Sequence, residues 1–281
     1  MSTLPGHPQL GPKTDTNPAD QSREFLANGW TATVYRLKNT QKISKVLDKE
    51  SYPREELFQR ERRAYERMAQ QTRPSSILKF YGTDDPLGLI LELAENGNMH
   101  GYLWDCRHAK TAPDGSTLFR WARQAAEALS FVHFCGILHC DIHVANFFLD
   151  RDLNLKLGDF GACALDGEKP LMTYRRTHQL WVKEDDRWRK AFSVASEIFA
   201  LGSAMFNMET MRDALEELDN ERDRDEIARR IREEELPDTE SLVALGEYVK
   251  KCWNLEYGSM SDMLRDMHES DEEHVHRKLE L

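Results

Sequence analysis

The sequence predicts an α+β fold of two lobes, a small strand-rich one over 23–95 and a larger, mainly helical one over 96–270. Three observations predict it. Short alternating runs rich in Val, Thr, Tyr and Ile fill the first third, broken by one strongly charged helical stretch. Beyond that, long segments carry apolar residues at helical spacing. The two patterns meet in HCDIHVANFFLDRDLNLKLGDFG, over 139–161, where polar turns separate short apolar strands.

In order, Pro5, Gly6, Pro8, Gly11, Pro12 and Pro18 among polar residues predict a disordered tail over 1–22. EFLANGWTATVYRLKN and KISKVL read as three strands around two turns, with Lys45 closing the third. The stretch 53–71 reads as a helix, with Pro53 at its start and Glu55 and Glu56 in its first turn. ILKFYG and LGLILELA supply two more strands around a turn at Asp84, Asp85 and Pro86. Asn96-Gly97-Asn98 breaks the chain and starts a new helix, so the lobe boundary falls near 95. A helix over 116–135 enters at Ser116 or Thr117. The segment from Gly161 to Glu184 is polar with few apolar anchors. FSVASEIFALGSAMFNM is apolar on most sides and reads as a buried helix. A charged helix over 220–235 and closing helices over 239–253 and 260–268 follow, with a frayed end over 271–281.

Composition bounds the function. A chain of 281 residues suits one large domain or two lobes sharing a cleft. A net charge of -11 argues against broad nucleic-acid binding, which wants a basic face. Cys106, Cys135, Cys140, Cys163 and Cys252 show neither CxxC spacing nor a zinc-spaced His cluster, so reduced thiols in an intracellular protein are expected. With no targeting signal and no membrane-spanning apolar run, the expected location is cytoplasmic or nuclear, with no membrane partner.

The chemistry concentrates in 139–161. Asp141, Asn146 and Asp159 are three groups able to work on a metal-bound phosphate. Phe147, Phe148 and Leu149, a turn at 150–152, and Leu153, Leu155 and Leu157 form a hairpin that returns Asp159 beside Asn146. Asp and Asn offer oxygen ligands suited to Mg²⁺, and a carboxylate such as Asp141 accepts a proton from an attacking hydroxyl.

This run resembles the catalytic and metal loops of eukaryotic protein kinases, H-R-D-L-x-x-x-N followed by D-F-G. The resemblance extends more loosely over 24–270, with linkers like those of small fungal protein kinases. It implies a two-lobed protein kinase-like fold that moves the γ-phosphate of ATP, with Mg²⁺, to a Ser or Thr hydroxyl of a protein substrate. In that scheme Asn146 and Asp159 hold metal, Asp141 is the catalytic base and Lys45 neutralises the α- and β-phosphates. Glu61 fixes Lys45; Glu56 and Glu66 compete for that role, as Lys42 and Lys49 compete with Lys45. The glycine-rich loop, aligned on Val34, becomes Ala27, Gly29 and Ala32, so only its middle glycine remains. Ile43 narrows the adenine pocket, Leu91 is the gatekeeper, Glu92 to Ala94 form the hinge, and Phe148 completes the nucleotide-binding set. His139 and Phe160 pack with Tyr65 and Phe80 in a column joining the lobes.

Departures from the pattern carry their own expectations. Cys140 stands where relatives carry the Arg that binds an activation-segment phosphate, so activity is expected not to require phosphorylation of Thr173, Tyr174 or Thr177. His143 replaces a Lys that contacts the γ-phosphate, which predicts slower transfer. THQLWVKE aligns with T-x-x-Y-x-A-P-E through Thr177 and Glu184, with Val182-Lys183 for Ala-Pro and no Arg near Met260 to pair with Glu184. Glu197 replaces the Asp that holds the catalytic-loop backbone. Arg175, Arg176, His178 and Lys183 are expected to meet an acidic substrate. The alternatives are a pseudokinase scaffold and a small-molecule phosphotransferase.

Overall fold

The computed structural model describes residues 22–48, 53–84 and 88–279. Nearly all of the expected tail, Lys49, and Asp85 and Pro86 of the expected turn lie outside the described residues.

Strands β1 (Arg23–Asn28), β2 (Ala32–Leu37) and β3 (Lys42–Leu47) form an antiparallel meander. Helix α1 (Arg54–Met68) follows, then β4 (Phe80–Asp84) and β5 (Gly88–Glu92). The five strands make one sheet in the order β1-β2-β3-β5-β4. Register aligns Ala27, Val34, Lys45 and Leu89 in one row across it, and Ile43 and Leu91 in another. Strand β3 continues past Lys45 to Leu47.

The rest of the chain is mainly helical. Helix α2 (Met99–Ala109) is capped by the Asn98 side chain, which accepts from the Gly101 N–H. Helix α3 (Gly115–Phe134) is capped by Asp114, whose carboxylate accepts from the backbone and hydroxyl of Thr117. The cap therefore lies upstream of the expected Ser116 or Thr117: a carboxylate satisfies the free N–H groups better than a hydroxyl and suits the positive helix end. Short strands β6 (Ile137–Leu138), β7 (Phe147–Leu149), β8 (Leu155–Leu157) and β9 (Ala164–Leu165) pair as β6-β9 and β7-β8.

Strands β10 (Trp181–Glu184) and β11 (Arg187–Lys190) form a hairpin that the sequence does not announce. Helices α4 (Val194–Thr210), α5 (Arg224–Arg232), α6 (Gly246–Trp253) and α7 (Met260–Leu279) complete the lobe. Helix α4 starts at a Ser193–Ser196 capping box and is buried from Ser196 to Met208. A Cβ at Gly202 would stand 2.7 Å from the Cys252 Cβ, so only glycine lets α4 and α6 approach this closely. Helices α5 and α6 are shorter than expected because turns fill 219–223 and 239–245, whereas α7 continues to Leu279, within the stretch expected to fray.

The main core joins Trp121, Leu129, Phe147, Phe160 and Met205, each fully buried. Each such side chain contributes about 1.5–3 kcal/mol through removal from water.

Candidate active site

Helix α1 and strand β3 bring two opposite charges together. Leu57, Glu61, Ala64, Tyr65 and Met68 recur at helical spacing on the buried face of α1, so Glu61 is carried inward with the apolar residues. Lys45 Nζ lies 2.6 Å from Glu61 Oε2 and 2.9 Å from Asp159 Oδ1. The competitors are engaged elsewhere. Glu56 pairs with Arg60, Glu66 pairs with Arg62, and Lys42 lies over the Tyr81 ring.

Two carboxylates thus share one ammonium. Burial pulls the Lys45 pKa down, but Asp159 and Glu61 together outweigh it and leave it above the usual lysine range. Burial pushes Glu61 up to about 7 against the attraction of Lys45. Asp159, also disfavoured by burial, is nonetheless held below its ordinary value by Lys45 and keeps the negative charge.

The catalytic loop is a closed hydrogen-bond set. Asn146 Nδ2 donates to the Asp141 carbonyl (2.7 Å) and to Asp141 Oδ2 (3.0 Å), which leaves the amide oxygen able to ligate a cation. His143 Nδ1 accepts from the Ala145 N–H, so the neutral ring carries its proton on Nε2, 3.2 Å from Asp141 Oδ2. Burial opposes ionisation of Asp141, but the hydrogen bonds it receives from His143 and Asn146 help outweigh it, holding its pKa at about 2. The Gly158 N–H donates to the Asn146 carbonyl and His139 Nε2 donates to the Gly158 carbonyl, which ties the Asp159 loop to the catalytic loop. His139, Phe160, Tyr65 and Phe80 pack in sequence with ring centroids 4.9, 5.1 and 5.6 Å apart, tilted, edge-to-face and stacked in turn. His139 is therefore a packing residue.

Cys140 and Asp159 adopt left-handed backbone, with φ of 62° and 61°. Such a conformation costs about 1–2 kcal/mol for a residue with a Cβ. Helix α4 holds it at Cys140: Glu197 Oε2 accepts from the His139 N–H (3.0 Å) and Oε1 from the Cys140 N–H (2.8 Å).

On the nucleotide side, the Gly29 N–H donates to the Ala32 carbonyl and closes the β1–β2 turn, and a Cβ on Gly29 would stand 3.2 Å from that oxygen. The Glu92 and Leu93 amides donate to the Lys79 and Gln41 carbonyls. Among the described residues no acceptor is recorded for the Ala94 amide, which leaves it as an N–H able to meet a ligand. Val34, Ile43, Ala94 and Phe148 are half-buried and Leu91 is buried. Asp159 and Asn146 fit a hard cation that takes few protein oxygens and completes its shell with water and phosphate. Among the described residues no group of three or more His, Cys, Asp or Glu side chains forms a self-sufficient metal site.

Glu184, which has no late Arg partner, is exposed at the end of β10 and pairs with Arg189 instead. Other expectations change. His178 is fully buried, and burial drives its pKa down to about 3, so it cannot meet a substrate as a cation. Thr177 and Tyr174 are buried, and the segment after Gly161 also anchors Cys163, Ala164, Leu165 and Leu180 in the interior.

Long-range contacts invisible in the sequence hold α1 in place. Arg63 and Arg67 make two-pronged bonds to Glu168 and Asp166, and buried Arg60 donates to the carbonyls of Cys163 and Lys169. These three arginines occupy one stripe of the helix and bind the start of the activation segment. A stripe of basic residues reads as a solvated face until its partners are in place.

The protein kinase domain family matches residues 21–274. Serine/threonine-protein kinase PLK4 of Drosophila grimshawi is 30% identical over 146 residues, covering 50% of this chain and 19% of that protein. PLK4 of Xenopus laevis is 27% identical over 191 residues, covering 65% of this chain and 20% of that protein. The chain thus spans about a fifth of the length of these curated relatives.

Proposed function

Because this chain belongs to the protein kinase domain family, we propose that it transfers the γ-phosphate of Mg·ATP to a Ser or Thr hydroxyl of a protein, without a phosphorylated activation segment. One observation carries the reading: Lys45 bridges Glu61 and Asp159 at 2.6 and 2.9 Å, opposite Asp141 and Asn146. Phosphoryl transfer asks a protein mainly for positioning and charge neutralisation. Mg²⁺, when bound, neutralises charge on the phosphates. Asp159 and Asn146 would hold it. Lys45, kept in place by Glu61, lies against the phosphate side. Asp141, ionised at neutral pH, orients the acceptor hydroxyl and takes its proton.

The substrate side supports an acidic segment. A cavity of about 370 Å³ is lined by Arg175, Arg176, Lys190 and Arg224 against Asp213 and Glu221, the latter already paired with Arg176. Lys183 is engaged by Asp186. No helix among the described residues is long and apolar enough to cross a membrane, and all five cysteines are free.

Ala27, Ala32 and Ile43, which weaken the phosphate and adenine contacts, favour a second reading, a pseudokinase that scaffolds partners. Thermal unfolding with and without Mg·ATP, paired with ADP production, separates the two. The kinase reading expects a rise in Tm together with turnover; no rise in Tm, or a rise without ADP, supports the scaffold.

His143 offers a further check. As a neutral donor it stabilises phosphate charge less than an ammonium does. His143→Lys is expected to raise the transfer rate at saturating Mg·ATP; an unchanged or lower rate contradicts this account of slow chemistry.

A further inference from the structure

We infer that unmodified Tyr174 is a positioning residue that couples the activation segment to the catalytic base through Glu197. The inference rests on the kinase reading and adds its mode of regulation. Tyr174 is 3% exposed, and its ring stacks on Phe192 with centroids 5.8 Å apart. Its hydroxyl donates to Glu197 Oε1 at 2.7 Å. That same oxygen accepts the N–H of Cys140, the residue before Asp141. One carboxylate oxygen therefore joins the activation segment to the backbone that aims the base.

The other Glu197 oxygen accepts from the His139 N–H and from His133 Nε2 at 3.0 Å. Glu197 thus gathers four donors from α3, the catalytic loop and the activation segment while fully buried. A buried carboxylate needs such partners, and each hydrogen bond to a charge is stronger than a neutral one. Cys140 is itself buried and supplies no cation for a phosphate, so in this chain the segment is seated by a neutral hydroxyl. The backbone next to Tyr174 is seated too, since Ser203 Oγ donates to the Thr177 carbonyl at 3.0 Å. A phosphate on Tyr174 would have to enter this pocket beside Glu197, where like charge and burial expel it. Modification at Tyr174 therefore switches the protein off.

The test is Tyr174→Phe in the full chain, which removes one oxygen and keeps the ring. The expected result is a drop in kcat of about tenfold, with KM for Mg·ATP unchanged because Lys45, Glu61 and the hinge are untouched. Amide hydrogen exchange at His139, Cys140 and Asp141 should accelerate. A merely structural role would instead lower Tm and shift KM with kcat. Glu197→Asp, which shortens the reach to all four donors, should lower kcat at least as much, and adding Tyr174→Phe to it should lose no more than Glu197→Asp alone. Additive losses, or unchanged kcat and exchange in Tyr174→Phe, overturn the inference. If the wild-type chain transfers no phosphate, the kinase reading fails by itself. The exchange comparison then still decides: equal rates in wild type and Tyr174→Phe remove the coupling, faster rates retain it.

Discussion

Asp141→Asn is expected to lower kcat by about 10²- to 10⁴-fold, the range that a positioned proton acceptor supplies. The substitution is nearly isosteric. An Asn oxygen can still accept from His143 Nε2, and the backbone carbonyl of residue 141 still accepts from Asn146. The loop therefore keeps its shape, and the loss reports chemistry. Mg·ATP affinity should change little, because Lys45, Asp159 and the Ala94 amide are untouched. Since Asp141 is held near 2, it stays ionised as pH falls through the weakly acidic range. An acid limb in the wild-type rate near pH 6 would therefore belong to another group. A steady-state titration of both proteins measures kcat and KM; an Asn variant with near wild-type kcat removes Asp141 from its role.

Lys45→Met is the second large effect. It leaves Glu61 and Asp159 facing each other without their shared cation. Removing one partner of a buried ion pair costs about 3–5 kcal/mol, and Glu61 is fully buried. Mg·ATP binding should be lost as well. The pH dependence has a fixed sign. Glu61 is raised to about 7 in the folded state, so its contribution is complete below the ordinary glutamate range and declines as pH rises through 7. Without Lys45 its pKa rises further, so the folded variant binds more protons than the wild type. The destabilisation should then be larger at pH 8 than at pH 5. Urea unfolding at both pH values checks this; an equal or smaller penalty at pH 8 contradicts the shared-cation description.

The parts of the site that were legible in the sequence are those set by short spacing. Asp141, Asn146 and Asp159 lie within 139–161, where a hairpin can do only one thing, and β7 and β8 pair as the alternation suggests. Lys45 and Glu61 were proposed from the resemblance, with Lys42, Glu56 and Glu66 left as competitors, and it is the burial of one α1 face and the β3 register that bring Lys45 and Glu61 together. Glu197 was proposed from the resemblance alone, as the residue in place of an Asp in helix α4.

What was not legible depends on partners far away in the chain. The β10–β11 hairpin carries exposed Arg187, Trp188, Arg189 and Lys190, so it lacks the buried face that marks a strand. Arg60, Arg63 and Arg67 became a clasp only once Asp166 and Glu168 lay alongside. Tyr174 and Thr177 looked like exposed acceptors in a polar segment, yet both are buried. Replacing Thr173, Tyr174 and Thr177 together would therefore remove the Glu197 tether along with any phosphate.

The central claim is that the groups around Lys45 and Asp141 transfer a phosphate and do more than bind a nucleotide. Incubating the purified wild-type chain with Mg·ATP labelled at the γ-phosphate and a generic acidic protein tests it most directly. The account predicts acid-stable label on Ser or Thr of that protein, with ADP formed in step and both absent with Asp141→Asn. Nucleotide that binds to a folded wild-type chain while the label stays on ATP would contradict it.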